Sequence, residues 1–160
     1  MAHLTYGLHS PCDLLKKLKF EAERLKQNFN SYDFFNFVVT AYHLCDWVHK
    51  NLNIPLEKED ILDNYKEIKI CRDLANASKH FGIDPNHPAS KKYPPITSHA
   101  DSVLGYGVGR YGSGGYGIGE EKIIIEIEDT GTGKIETFDA YDLVNKVVEI
   151  WENILSNYCP

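Results

Sequence analysis

Tyr32-Asp33-Phe34-Phe35-Asn36-Phe37-Val38-Val39-Thr40-Ala41-Tyr42-His43-Leu44-Cys45-Asp46-Trp47-Val48-His49-Lys50 decides the fold. Phe34, Phe35, Phe37, Val38, Val39, Ala41, Tyr42, Leu44, Trp47 and Val48 carry its apolar character. At about 100° per residue they cover most of a helix circumference. A helix that is apolar on most faces belongs at the centre of a bundle. Its polar exceptions, His43, Asp46 and His49, therefore stand out.

Upstream, Ser10-Pro11-Cys12-Asp13 reads as a helix start. Ser10 can take an orphan N–H, Pro11 suits the first turn, and Asp13 suits the positive end of the dipole. Leu14, Leu18, Ala22, Leu25 and Phe29 follow at helical spacing. Asn28-Phe29-Asn30-Ser31 closes this helix and caps the next. Downstream, Asn53-Ile54-Pro55 breaks the chain. A third helical stretch covers roughly residues 57–80, with Ile61, Leu62, Tyr65, Ile68, Cys71, Leu74 and Ala75 inward and a kink or split at Asp63-Asn64. Gly82 is a natural stop after it.

Residues 83–104 hold Pro85, Pro88, Pro94 and Pro95 and read as an irregular connection with short extended pieces. Residues 105–119 form three five-residue repeats rich in Gly and Tyr. Lys122 to Glu128 reads as a strand, Asp129-Thr130-Gly131-Thr132-Gly133 as a hairpin turn, and Lys134 to Phe138 as the returning strand. Asp139 caps a last helix whose stripe is Leu143, Val147, Ile150, Trp151, Ile154 and Tyr158. The expected fold is mainly α: a bundle of about four helices with a C-terminal β-hairpin and a Gly-rich loop. It forms one domain over 1–160, with a three-helix core at 10–81, an irregular Gly/Tyr-rich part at 83–120, and hairpin plus helix at 121–158.

With 160 residues, 42% hydrophobic and 25% charged, the chain matches an ordinary globular domain. That length supports a core without a disulfide or metal as staple. The net charge of −6 opposes broad attraction to nucleic acid, so any RNA contact needs a local basic patch. The four cysteines, at 12, 45, 71 and 159, lack metal-ligand spacing. They fit a reducing compartment, with Cys45 and Cys71 as small core residues. Met-Ala-His-Leu-Thr-Tyr-Gly has no basic region followed by an apolar stretch, so no signal peptide and a cytoplasmic location are expected. No apolar run reaches the roughly 18 residues of a membrane helix.

Cys71-Arg72-Asp73-Leu74-Ala75-Asn76-Ala77-Ser78-Lys79-His80 is the candidate site. On a helix, Arg72, Asn76 and Lys79 fall within roughly 60°, and Asp73 and His80 widen the arc to roughly 120°. Cation, carboxylate, amide and imidazole thus share one side, where they can hold an anion and move a proton. The bland alternative is a solvated face whose Lys79 and His80 complement the helix dipole.

This face resembles the signature of the HEPN superfamily, helical bundles that are often dimeric and occur in toxins and antiviral defence proteins. Many are metal-independent ribonucleases with an Arg, a polar neighbour and a later His. Arg72, Asp73 and His80 match those places. Seven residues separate Arg72 from His80, longer than the family's usual spacing, and Asp73 stands where Asn is common. The resemblance implies RNA as substrate, a homodimer and no cofactor. His80 would be general base or acid, Arg72 and Lys79 would stabilise phosphate charge, and Asp73 or Asn76 would orient them. The competing expectation is a non-catalytic interaction module, a protein partner in a prophage or conflict system.

His43 and Asp46 are one turn apart, as are Asp46 and His49. Such spacing occurs in bundle metal sites, but a second pair is missing and the arc is wide, so no metal site is assigned. His43 and Asp46 are expected to support the Arg72 face, or else to form a buried pair. Gly107 to Gly112 and Gly112 to Gly117 match G-x-G-x-x-G, but lack the preceding strand and following helix of a nucleotide fingerprint.

Overall fold

In a computed structural model, residues 6–80, 97–103, 122–129 and 133–160 are described. Among them the order is α1 (Pro11–Gln27), α2 (Ser31–Lys50), α3 (Lys58–Asn64), α4 (Lys66–His80), β1 (Thr97–Val103), β2 (Lys122–Asp129), β3 (Lys134–Asp139) and α5 (Ala140–Leu155). The fold is mainly helical, as the periodicity predicts. The Gly105–Gly119 repeats and the stop at Gly82 lie outside the described residues.

Helix α1 starts where its sequence says it should. The Ser10 hydroxyl accepts from the Asp13 amide, and the Asp13 carboxylate accepts from the Ser10 amide, a reciprocal capping box. Asn30 caps α2 by accepting from the Asp33 amide. Helices α1 and α2 run antiparallel, tied by Lys17 Nζ to Thr40 Oγ1 at 2.6 Å and Arg24 to Asp33 at 3.1 Å. Lys17 also pairs with the buried Glu21. All five predicted core positions of this stretch, Leu14, Leu18, Ala22, Leu25 and Phe29, are buried.

Helix α2 packs against α1, α3 and α4, the central role its composition predicts. It is not apolar-covered all round, however. Phe34, Phe37, Val38, Ala41, Leu44, Cys45 and Val48 face inward, while Tyr32 and Phe35 are exposed. The third helical stretch is split into α3 and α4 at Tyr65, whose backbone is extended (φ −126°, ψ 98°). Asn64 donates to the Asp60 carbonyl at 2.8 Å and helps end α3. The break frees α4 to take its own direction.

One element goes further than the short extended pieces expected at 83–104. Residues 97–103 form a strand, so the hairpin is part of a three-stranded antiparallel sheet in the order β1-β2-β3. Thr-Ser-His-Ala-Asp-Ser-Val has little strand character of its own. Its strand state comes from pairing with the isoleucine-rich β2, a tertiary effect. Ile123, Ile125 and Ile127 of β2 are buried on one face, and β2 and β3 contact α5. The β2–β3 register pairs Ile125 with Phe138. Lys66, at the start of α4, pairs with Glu136 of β3 and lies over the Phe138 ring at 5.3 Å.

Helix α5 is capped by Asp139, which accepts from the Tyr141 amide at 2.8 Å. Leu143, Val147, Ile150 and Trp151 are buried as predicted, with Val144 and Leu155 beside them. Tyr158 lies past the helix end and is exposed, not part of the stripe. Helices α1 and α5 pack antiparallel. Phe29 meets Tyr141 with ring centroids 6.1 Å apart, Lys19 pairs with Glu152 at 2.6 Å, and Cys12 is bonded to Cys159. That disulfide corrects the expectation of a fold without a covalent staple. Sequence spacing could not show it, because the two cysteines are 147 residues apart and only the α1–α5 packing makes them neighbours.

Candidate functional site

Helix α4 carries the site and is buried on more sides than its polar pattern suggests. Ile68, Ile70, Cys71 and Ala75 are interior, and so are Arg72, 4% exposed, and Asp73, 3% exposed. The expectation of one solvated polar face is therefore corrected at its centre. The helix passes between α2 on one side and α5 and β1 on others, so consecutive residues from Ile70 to Asp73 all meet protein.

Arg72 and Asp73 engage each other. Arg72 Nε donates to Asp73 Oδ1 at 2.8 Å, and Arg72 Nη2 lies 2.7 Å from the same oxygen. Neighbours in sequence point about 100° apart on a helix and do not ordinarily face each other. The long arginine stem must fold back around the helix to close this pair. Such charge-assisted bonds are the stronger class, and the low dielectric of the interior strengthens them further.

The rest of the predicted site is distributed along α4. Asn76 is half-buried and Lys79 is exposed. Ser78, on another side, donates to the Leu74 carbonyl at 2.7 Å. The backbone of His80 ends the helix, and its side chain is outside the described residues. His80 is eight positions after Arg72, about 12 Å along the axis. Two of the three Arg72 guanidinium nitrogens are turned onto Asp73.

On α2, His43 is exposed, which corrects the expectation of a buried His43–Asp46 pair. Asp46 instead accepts from Lys58 Nζ at 2.6 Å, and Lys58 also donates to the Tyr42 hydroxyl at 3.0 Å and sits 4.5 Å above the Tyr42 ring. Burial disfavours the Lys58 ammonium, but its hydrogen bonds to Asp46 and Tyr42 outweigh that and raise its pKa. His49 Nδ1 approaches Glu57 at 2.9 Å. These contacts fasten the start of α3 to the end of α2. Among the described residues no three His, Cys, Asp or Glu side chains group as a metal site.

Sequence reasoning missed this Lys58 knot, because its partners lie on different helices and share no local spacing. Cys45 and Cys71, one on each of α2 and α4, are both fully buried. Burial pushes the Cys45 thiol up to about 12, while the Lys58 and Arg72 charges pull it down and Asp46 raises it. The Cys71 thiol is pushed up by burial and then by Cys45. The expected support of the Arg72 face by His43 or Asp46 has no hydrogen bond behind it here: His43 is exposed and Asp46 is engaged by Lys58.

No described helix is long and apolar enough to cross a membrane. Compared with family models, curated proteins and solved structures, the chain matches none.

Proposed function

We propose that the chain is a metal-independent ribonuclease of the toxin or defence type, resembling the HEPN superfamily, with α4 as the catalytic helix. The observation that supports this most is the Arg72–Asp73 pair, held in the interior immediately before the Asn76, Lys79 and His80 segment. Desolvating two charges costs several kcal/mol per ion, and well-packed apolar residues would often serve a purely structural helix as well or better. Keeping the pair fits a helix whose orientation must be specified.

In this reading Arg72 and Asp73 are positioning residues. His80 takes the proton of a ribose 2′-hydroxyl or gives one to the leaving oxygen, and Lys79 stabilises the phosphate charge. Asn76 orients the imidazole. Metal independence and a homodimer come with the resemblance, and a cytoplasmic location with the cysteine usage and the N-terminal sequence. The test is cleavage of RNA by purified protein in chelator, beside His80→Ala and Lys79→Ala, with thermal unfolding as control. Loss of cleavage in both variants at unchanged stability is the expected result. Equal cleavage by wild type and His80→Ala overturns it.

The second reading is a non-catalytic interaction module. It is favoured by a specific observation: Arg72 is interior and turns two of its guanidinium nitrogens onto Asp73, so those two are not free for a phosphate. Expression toxicity relieved by His80→Ala discriminates for the enzyme, and its absence for the module.

A further inference from the structure

We propose that Cys12 and Cys159 form a reversible oxidation site, closed by low-molecular-weight disulfides and opened by low-molecular-weight thiols, which clamps the chain beyond α5 to the start of α1. This does not rest on the ribonuclease reading. The two residues are bonded, with Cα atoms 5.5 Å apart.

Three further observations carry the proposal. First, the α1–α5 register does not depend on the bond. Lys19–Glu152 and Phe29–Tyr141 hold the same antiparallel alignment one and two rungs further on. When reduced, the two thiols therefore remain facing each other, and closure is intramolecular with a high effective concentration.

Second, access divides the four cysteines into two classes. Cys12 and Cys159 are half-buried, within reach of a small reagent, whereas Cys45 and Cys71 are fully buried. Burial raises both interior thiols, so they carry almost no thiolate at neutral pH.

Third, Cys12 follows Pro11 in the first turn of α1, where the positive end of the helix dipole favours a thiolate. The turn bearing Cys159 is held by the Tyr158 and Cys159 amides donating to the Leu155 carbonyl, both at 2.9 Å, and Tyr158 is exposed.

The chemistry is thiol–disulfide exchange. The Cys12 thiolate attacks one sulfur of a disulfide RSSR, which breaks its S–S bond, forms a mixed disulfide and releases RS⁻. The Cys159 thiolate then attacks the Cys12 sulfur and expels the second RS⁻. Two protein thiols lose two electrons and two protons, and RSSR becomes two RSH. Reduction runs the same steps backwards.

The experiment equilibrates the full chain in buffers spanning reduced to oxidised glutathione, quenches with acid, alkylates, and reads each cysteine by peptide mass spectrometry. Cys12 and Cys159 should convert together within that range, while Cys45 and Cys71 react only after denaturation. The reduced form should melt roughly 10 °C lower, the order expected for opening so long a loop. Cys159→Ser should accumulate the glutathione adduct on Cys12. Two free thiols at the most oxidising ratio would overturn the proposal. So would a bond intact at the most reducing ratio, which would make it a permanent staple.

Discussion

Replacing Asp73 by Ala should destabilise the protein far more than the loss of an ordinary surface ion pair. Arg72 and Asp73 are 4% and 3% exposed, and two guanidinium nitrogens lie within 2.8 Å of Asp73 Oδ1. Two unit charges about 4 Å apart attract by about 4 kcal/mol at an effective dielectric of 20. Removing one partner of a buried pair costs about 3–5 kcal/mol, because the other charge stays desolvated. For a chain of this size each kcal/mol moves Tm by about 2–4 °C, so Asp73→Ala should melt roughly 10 °C or more below wild type. Urea unfolding of Asp73→Ala, Arg72→Met and the Arg72→Met/Asp73→Leu double variant separates the terms. The double variant should recover most of the loss, since apolar replacement of a whole buried pair is often neutral or better. Two single variants each costing under about 1 kcal/mol, the value of exposed pairs, would refute the interior placement of the charges.

Other outcomes follow from the same contacts. Ser10→Ala removes the side-chain half of the α1 capping box and should cost about 1 kcal/mol in urea unfolding, with Ser10→Gly milder. The Cys45 thiol is raised from 9.0 to about 12, so its stabilisation is complete below pH 9 and is lost as pH rises through the folded value. The unfolded state releases that proton first, and by pH 10.5 the loss should reach about 2 kcal/mol, reduced in Cys45→Ala. The His9 and Ser10 bonds hold the Asp13 carboxyl below its ordinary 3.8. The capping contribution is therefore present above that value and disappears as pH falls through the folded one, which an acid titration of Asp13→Asn beside wild type should show as a flatter profile.

The elements legible in the sequence were those whose signals are local. Ser10, Asn30 and Asp139 each cap the helix they precede, and apolar spacing places the core of α1 and, Tyr158 apart, that of α5. Residues 97–103 were not legible, because their strand state depends on β2. The site divides in the same way. Helical spacing puts Arg72, Asn76 and Lys79 near one another, yet spacing carries no information on what packs against the helix. Only α2, α5 and β1 closing over α4 make Arg72 and Asp73 interior. Asp46 likewise shows a helical neighbour in sequence, His43, but takes a tertiary partner, Lys58.

The pairing of the first helix with the last sets a condition on biosynthesis. Helix α5 carries Trp151, Leu143 and Leu155 into the core and lies along α1. Until residues 140–155 have left the ribosome, α1 has no such neighbour and part of its apolar stripe stays wet. Residues 28–139 lie between the two, roughly 10 s of synthesis at the usual pace. Native packing of α1 therefore completes only after α5 has been made, and a nascent chain stalled before Ala140 would present Leu14, Leu18 and Leu25 to chaperones.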